Sequence, residues 1–229
     1  MKSVAIDGPA GAGKSTIAKK LANKLGFIYV DTGALYRAIG LYVLSQDADS
    51  KNENEVIQLI KNIKVELKYI DDSQRVILNE KDVTGDIRTA GVSMAASNVS
   101  AMKKVREFLL DMQRNLAKEN NVVMDGRDIG TVVLPFADVK IFLTASPEER
   151  AKRRYDEMLE KGMKADFKDV LEDLKIRDYN DSNRKIAPLK PSRDSIIVDT
   201  TGNTLEQSIE VLTNVVVERL NSNEKIQIV

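Results

Sequence analysis

Five short apolar runs, Val4 to Asp7, Phe27 to Val30, Val122 to Asp125, Val139 to Leu143 and Ser195 to Val198, punctuate the chain. They lack the in-and-out alternation of a half-exposed strand, so they predict strands buried on both faces of a parallel sheet. Helical patterns separate them, as in Ile17, Ala18, Leu21, Ala22 and Leu25 after the first run. The predicted fold class is α/β, a doubly wound five-stranded parallel sheet, whose ligand crevice lies beyond the carboxyl ends of the strands. About ninety residues separate the second and third runs, far more than a crossover helix needs, so an insertion is expected there. Within it Val65, Leu67 and Tyr69 alternate with Glu66 and Lys68 from Ile63 to Ile70, Asp71 to Gln74 read as a turn, and Arg75 to Asn79 resume as strand, which predicts a small antiparallel sheet. Asn98 to Asn120 reads as one helix whose stripe of Met102, Val105, Leu109, Met112 and Leu116 belongs to the core. The expected organisation is a core of residues 1–46 and 98–220, an insert of 47–97 that opens with a polar loop from Asp47 to Asn54, and a tail of 221–229 frayed at the end.

The residues between the first strand and first helix name a ligand. Gly8, Pro9, Ala10, Gly11, Ala12, Gly13, Lys14, Ser15 and Thr16 fit the pattern G-x-x-x-x-G-K-[ST], in the strand, loop, helix order that it requires. Glycines let successive N–H groups point at phosphate oxygens, the helix start adds its positive end, and Lys14 brings a movable charge to the β- and γ-phosphates. Val122 to Met124 is an apolar strand ending in Asp125, placed to hold a magnesium ion beside the loop, directly or through water.

Composition narrows the chemistry. Lysine plus arginine and aspartate plus glutamate stand at 35 each, so no global basic field recruits nucleic acid or an anionic membrane. There is no apolar run of membrane-spanning length, and Asp7 falls where a signal peptide would need apolar residues, which predicts a cytoplasmic protein. With no cysteine and no histidine, disulfides, thiolate nucleophiles, serine–histidine triads and Cys- or His-ligated zinc are excluded. A GTPase would need N-K-x-D, and Asn79 to Asp82 has the wrong order.

A second anion site is indicated by Arg37, in the first turn after Asp31-Thr32-Gly33, and by Arg127, after the third strand. A motor or a nucleotide sensor would not need that site. Arg106 lies about 90° from the centre of its helix's apolar stripe, where it either snorkels or leans into a cleft. Ser146-Pro147-Glu148-Glu149 starts a helix carrying Arg150, Lys152, Arg153 and Arg154; Glu148 with Lys152 and Glu149 with Arg153 make four-apart pairs on a solvated face. A further helix from about Phe167 ends in Arg177, Asp178, Asp181 and Arg184, and the two helices, joined through Lys161-Gly162-Met163, predict a mobile lid over residues 147–187.

The stretches IDGPAGAGKST, DTGALYRA, DIRT, AASNVSAMKKVRE, MDGRDIGTVV, VKIFLTASPEERAKRR and RDYNDSNRKIAPL occur in the order of the motifs of bacterial cytidylate kinases, and the chain resembles that family to about Leu220. The resemblance implies a P-loop nucleoside monophosphate kinase fold with an acceptor-binding insert. It implies ATP as co-substrate, Mg2+, and CMP or dCMP as acceptor, with kinases of UMP or another monophosphate as the alternative. By position it directs Ser97, Arg106 and Asp128 toward the cytosine, Arg37 and Arg127 toward the acceptor phosphate, Asp181 toward the sugar hydroxyl, and Arg177 and Arg184 toward the transferring phosphoryl from the lid. Thr32 keeps a hydroxyl where relatives often have Ser. Ser15 stands where relatives can have Gly, so a direct contact of Ser15 with magnesium is not essential and Asp125 is the firmer metal-linked residue. A monomer is expected, since no long exposed heptad argues for association.

The implied chemistry needs no histidine base. A phosphate acceptor with a second pKa near 6 reaches the site largely deprotonated, so catalysis reduces to alignment and charge neutralisation. Cytosine offers an amino donor and a ring acceptor, and Asp128 with Arg106 matches that pair where uracil would oppose both.

Overall fold

A computed structural model describes residues 1–70, 73–160 and 162–226, with side chains as far as residue 222. In chain order its elements are β1 (Ser3–Asp7), α1 (Lys14–Leu25), β2 (Ile28–Asp31), α2 (Thr32–Ser45), α3 (Glu53–Ile60), β3 (Val65–Ile70), β4 (Ser73–Leu78), β5 (Lys81–Asp82), α4 (Ala90–Ser100), α5 (Lys103–Glu119), β6 (Val122–Gly126), β7 (Val139–Thr144), α6 (Pro147–Glu160), α7 (Phe167–Asn183), β8 (Ile196–Asp199) and α8 (Leu205–Ile226). A tight turn of helix at Asp86–Arg88 and a wide one at Ile129–Val133 complete the set. The chain forms two compact units, Met1–Tyr29 with Leu116–Val229, and Val30–Asn115.

The five expected strands form one parallel sheet in the order β2-β6-β1-β7-β8. β1 lies at its centre, its register pairing Asp7 with Gly126 on one side and Phe142 on the other. A central strand has no solvated face, which is why Val4, Ala5 and Ile6 are fully buried and the run reads as continuously apolar. Ile17 and Leu21 of α1 and Leu212 and Val216 of α8 cover the strands to make the core of the first unit. Val170 and Leu174 of α7 pack with Ala151 of α6 and Ala10 of the glycine loop in a smaller cluster.

The Val30–Asn115 unit has its own core, built by Leu35 and Ile39 of α2, Val56 of α3, Val76 of β4, Val99 of α4 and Leu109 of α5. Gly40 is required here, because a side-chain carbon at that position would sit 2.9 Å from the backbone nitrogen of Ala96. β3, β4 and β5 form the expected small antiparallel sheet, with Val65 opposite Leu78 and Ile70 opposite Ser73. Of the turn expected from Asp71 to Gln74, Ser73 and Gln74 instead begin β4, paired with Ile70 and Tyr69, while Asp71, Asp72 and the joint residue Lys161 lie outside the described residues.

Several expectations need correction. The single helix from Asn98 to Asn120 is two helices, α4 and α5, interrupted at Ala101 and Met102. No proline or glycine causes the break. Ser100 donates its hydroxyl to Ser97 O at 2.9 Å, and Arg106 turns its guanidinium back onto Ser100 O at 3.2 Å, so side chains satisfy carbonyls that helix continuation would have used. Met102, Val105 and Leu109 are buried as the stripe predicted. The polar loop expected to reach Asn54 ends sooner, because Asn52 caps α3 by accepting from Glu55 N–H. The two-residue β5 was not anticipated. The tail from 221 continues α8 to Ile226, and residues 227–229 lie outside the described residues.

Candidate active site

The glycine loop leaves β1 at Gly8, whose φ is 152° and whose missing side chain lets it lie against β7: a carbon there would stand 2.0 Å from Leu143 O. Gly13 turns the chain into α1 through a left-handed conformation, φ 83°, that a side chain would strain. Lys14 is buried and donates to Pro9 O at 2.7 Å, folded over its own loop. Burial and the positive charge of Arg127 push its pKa down to about 7, against the opposing pull of Asp125, Asp181 and Asp7. Ser15 donates its hydroxyl to Asp125 Oδ2 at 2.9 Å, and Tyr29 donates to Oδ1 of the same carboxylate at 2.9 Å. Tyr29 escaped the sequence reading because nothing in a strand marks which aromatic faces the neighbouring strand's end.

Next to the loop lies a cluster of opposite charges. Arg127 Nε donates to Asp181 Oδ2 at 2.7 Å, joining the end of β6 to α7. Burial works against the charge of Asp181, yet Arg127, Arg184 and Arg177 outweigh it and hold the carboxyl below its ordinary range. Burial likewise disfavours the Arg127 cation, but Asp181 and Asp125 leave its pKa raised. Arg184 caps the carboxyl end of α7, sends Nε to Ala187 O at 2.6 Å, and brings NH2 to 3.5 Å from Asp128 Oδ1. Ala187 adopts a left-handed φ of 49° to present that carbonyl. Arg177 is half-buried on α7. The first unit thus gathers Lys14, Ser15, Asp125, Arg127, Asp128, Asp181 and Arg184 around one loop.

Arg150, the first residue of the basic run on α6, is the member that the fold takes out of solvent. It is 4 % exposed. Its guanidinium donates to Ala145 O at 2.9 Å, to Ala10 O at 3.0 Å and to the Asp178 carboxylate, whose other oxygen accepts from Ala10 N–H at 3.3 Å. Arg150 and Asp178 together clamp the glycine loop to α6 and α7. Arg153 joins Glu149 as expected and also donates to Thr200 O at 2.8 Å.

The remaining candidates lie on the second unit. Asp31 caps α2 by accepting from Ala34 N–H at 3.0 Å, and its other oxygen receives Arg37 NH2 at 2.7 Å. Arg37 lies across Gly33, where a side-chain carbon would meet its NH1 at 3.2 Å. Its Nε is buried with no hydrogen-bond partner among the described residues. Thr32 is buried at the start of α2 and Ser97 half-buried on α4. Arg106, which helix geometry left on a border, is buried with its guanidinium 5.6 Å from the centre of the Tyr36 ring.

A glycine-cradled helix start on the central strand of a parallel sheet, with an inward lysine and a strand-end carboxylate against the loop hydroxyl, defines a P-loop phosphotransferase fold. Among solved structures, a gluconokinase from Sinorhizobium meliloti has a similar fold, with a TM-score of 0.52 at 15% identity over 99% of this chain and 97% of that one. The chain belongs to the cytidylate kinase family, whose model matches residues 4–218. It is 51% identical to the cytidylate kinase of Caldicellulosiruptor saccharolyticus over 91% of this chain and 92% of that one. It is 47% identical to the cytidylate kinase of Oceanobacillus iheyensis over 97% of each, and 47% to that of Lactobacillus johnsonii over 94% of each. The chain is a kinase, and ATP is its co-substrate.

Proposed function

We propose that this kinase moves the γ-phosphoryl group of ATP onto the phosphate of CMP or dCMP, giving ADP and CDP or dCDP. The observation that carries this reading is a complete phosphate loop with Lys14 turned inward, in a chain matched from residue 4 to 218 by the cytidylate kinase family. Lys14 swings from Pro9 O to the triphosphate, whose negative charge replaces the carbonyl it now holds and restores its positive form. The acceptor phosphate is its own nucleophile, so an unprotonated oxygen attacks without a base. Arg37, with a buried Nε to spare, and Arg127 hold that phosphate. Arg177 and Arg184 neutralise charge on the moving group. Asp181 accepts from a sugar hydroxyl. Asp128 accepts from the cytosine amino group, Arg106 donates to its ring acceptor, and Ser97 and Thr32 complete the acceptor contacts.

Ser15 and Asp125 suit magnesium: a hydroxyl and a carboxylate 2.9 Å apart offer hard oxygen donors. This fits an ion that keeps several waters and takes its other ligands from substrate phosphates. When bound, the ion neutralises charge on the β- and γ-phosphate oxygens.

No helix among the described residues is long and apolar enough to cross a membrane. The enzyme is proposed to act in the cytoplasm, as a monomer, on small nucleotides rather than on nucleic acid. The test is an acceptor series. Mg-ATP is supplied with CMP, dCMP, UMP, AMP or no acceptor, and ADP is measured. Release of ADP that depends on CMP or dCMP supports the reading; equal release with UMP, or release without acceptor, refutes it.

A further inference from the structure

The loop that carries Arg127 and Asp128 is held by a carboxylate from another strand. Asp7, the last residue of β1, accepts from Ile129 N–H through Oδ1 at 2.7 Å and from Gly130 N–H through Oδ2 at 2.8 Å. Both donors belong to the first turn of the wide helical turn Ile129–Val133, whose own bonds run from Val132 N–H and Val133 N–H to Asp128 O and from Leu134 N–H to Ile129 O. The first N–H groups of any helical turn have no partner within it. An aspartate at the residue before such a turn normally folds its own carboxylate onto them. Asp128 occupies that residue, and its side chain makes no capping bond.

We infer that Asp7 is the positioning residue for cytosine recognition: by capping the Ile129–Val133 turn from β1, it keeps the Asp128 carboxylate off those amides and beside Arg184 NH2, at 3.5 Å, the placement from which the proposed function has it accept from the base. The two anions repel, which further favours Asp128 pointing away from the capped turn. Asp7 is 5 % exposed and directly precedes Gly8, so the residue from which the phosphate loop departs also holds the acceptor-reading loop through its side chain. In its ionised form both carboxylate oxygens accept, one from each N–H donor. Lys140 supports the arrangement from behind. Its stem lies over Gly130, where a side-chain carbon would meet Lys140 Cδ at 3.2 Å and Asp7 Oδ2 at 3.4 Å, and its ammonium is held by Pro135 O and by Asp194 at 2.7 Å.

This inference rests on the reading of Asp128 as the cytosine acceptor, and a double-mutant cycle separates the two. Steady-state constants for CMP and for ATP are measured in wild type, Asp7→Asn, Asp128→Ala and the double variant. Asparagine keeps the shape and one acceptor but turns an amide donor toward the second N–H, so Asp128 is drawn into the vacated cap. The expected result is a CMP KM raised on the order of 10-fold or more by Asp7→Asn, an ATP KM within about 3-fold, a reduced preference for CMP over UMP, and no more than about a 2-fold further effect of Asp7→Asn once Asp128 is already alanine. Equal loss for both nucleotides, or multiplicative effects in the double variant, overturns the positioning role and leaves Asp128 its own. An unchanged CMP KM in Asp128→Ala removes the underlying reading and this inference with it. Should Asp7→Asn fail to fold, Gly130→Ala presses on the same carboxylate from the loop side; a several-fold rise confined to the CMP KM supports the role, and no change overturns it.

Discussion

The unit that carries the glycine loop and the Val30–Asn115 unit hold their arginines in opposite ways. Around the glycine loop, arginines are fixed chiefly by groups distant in sequence: Arg127 by Asp181, Arg184 by Asp128 as well as by Ala187 O three residues on, and Arg150 by Asp178 and Ala10 O. In the second unit the partners are near neighbours or apolar surface: Arg37 bonds to Asp31 six residues back, and Arg106 rests over Tyr36 and against Ser100 O, also six residues back. A region that stabilises the transferring phosphoryl gains from a dense set of preorganised charges, which is costly to bury and so must be paired. The second unit needs only a few donors on an ordinary apolar core, and one of them, Arg37 Nε, is buried with no hydrogen-bond partner among the described residues.

Substitutions in each unit test this contrast. The largest effect is expected at Lys14, where Lys14→Met should lower kcat on the order of 10²- to 10³-fold, as loss of one preorganised charge does elsewhere; an unchanged kcat in the coupled ADP assay would contradict the dense-charge description.

Asp7 tests the cost of burying charge. Its burial raises the carboxyl pKa from 3.8 to about 6, more than the Gly130 and Ile129 amides and Lys14 lower it. A raised folded pKa means that the native state holds its proton more tightly than the unfolded chain. The associated stability is therefore fully present below 3.8 and lost as pH rises through about 6, a change on the order of 3 kcal/mol. Urea denaturation between pH 4 and 7 should show this fall in wild type and not in Asp7→Asn, which has nothing to titrate there. Parallel profiles would mean that the Asp7 carboxyl is not perturbed by its surroundings.

In the second unit a smaller effect is expected, since fewer groups act together. Arg106→Met should raise the CMP KM roughly 10- to 100-fold with the ATP KM within about 3-fold, and the step from Tyr36→Phe to Tyr36→Leu, which removes the ring beneath the guanidinium, should cost no more than about 1 kcal/mol of CMP binding. Steady-state kinetics measure the first and isothermal titration with CMP alone the second. The smallest effect belongs to Ala187. Relieving its left-handed backbone by Ala187→Gly should alter stability by about 1 kcal/mol or less, in the stabilising direction, because the glycine removes the steric cost while adding freedom to the unfolded chain. A clear loss in thermal denaturation would show that the Ala187 methyl packs to greater advantage than its φ costs.

What the amino-acid order determined by itself is whatever depends on neighbours along the chain. The five buried strands, the glycine loop and its helix, the small antiparallel pair and the start of α6 at Pro147 all follow from period, turn chemistry and caps within a dozen residues. Arg37 with Asp31 was within reach for the same reason. Tertiary structure alone decided the rest: the interruption at Ala101 and Met102, where Arg106 folds back on Ser100 O; the burial of Arg150 among residues it could be paired with only once α7 and the loop had met; Tyr29 on Asp125; and Asp7 on the amides of Ile129 and Gly130. These contacts join groups from different elements, many of them over a hundred residues apart in the chain, and no local pattern encodes such a pairing because its energy exists only after the apolar core has brought the partners together and excluded water.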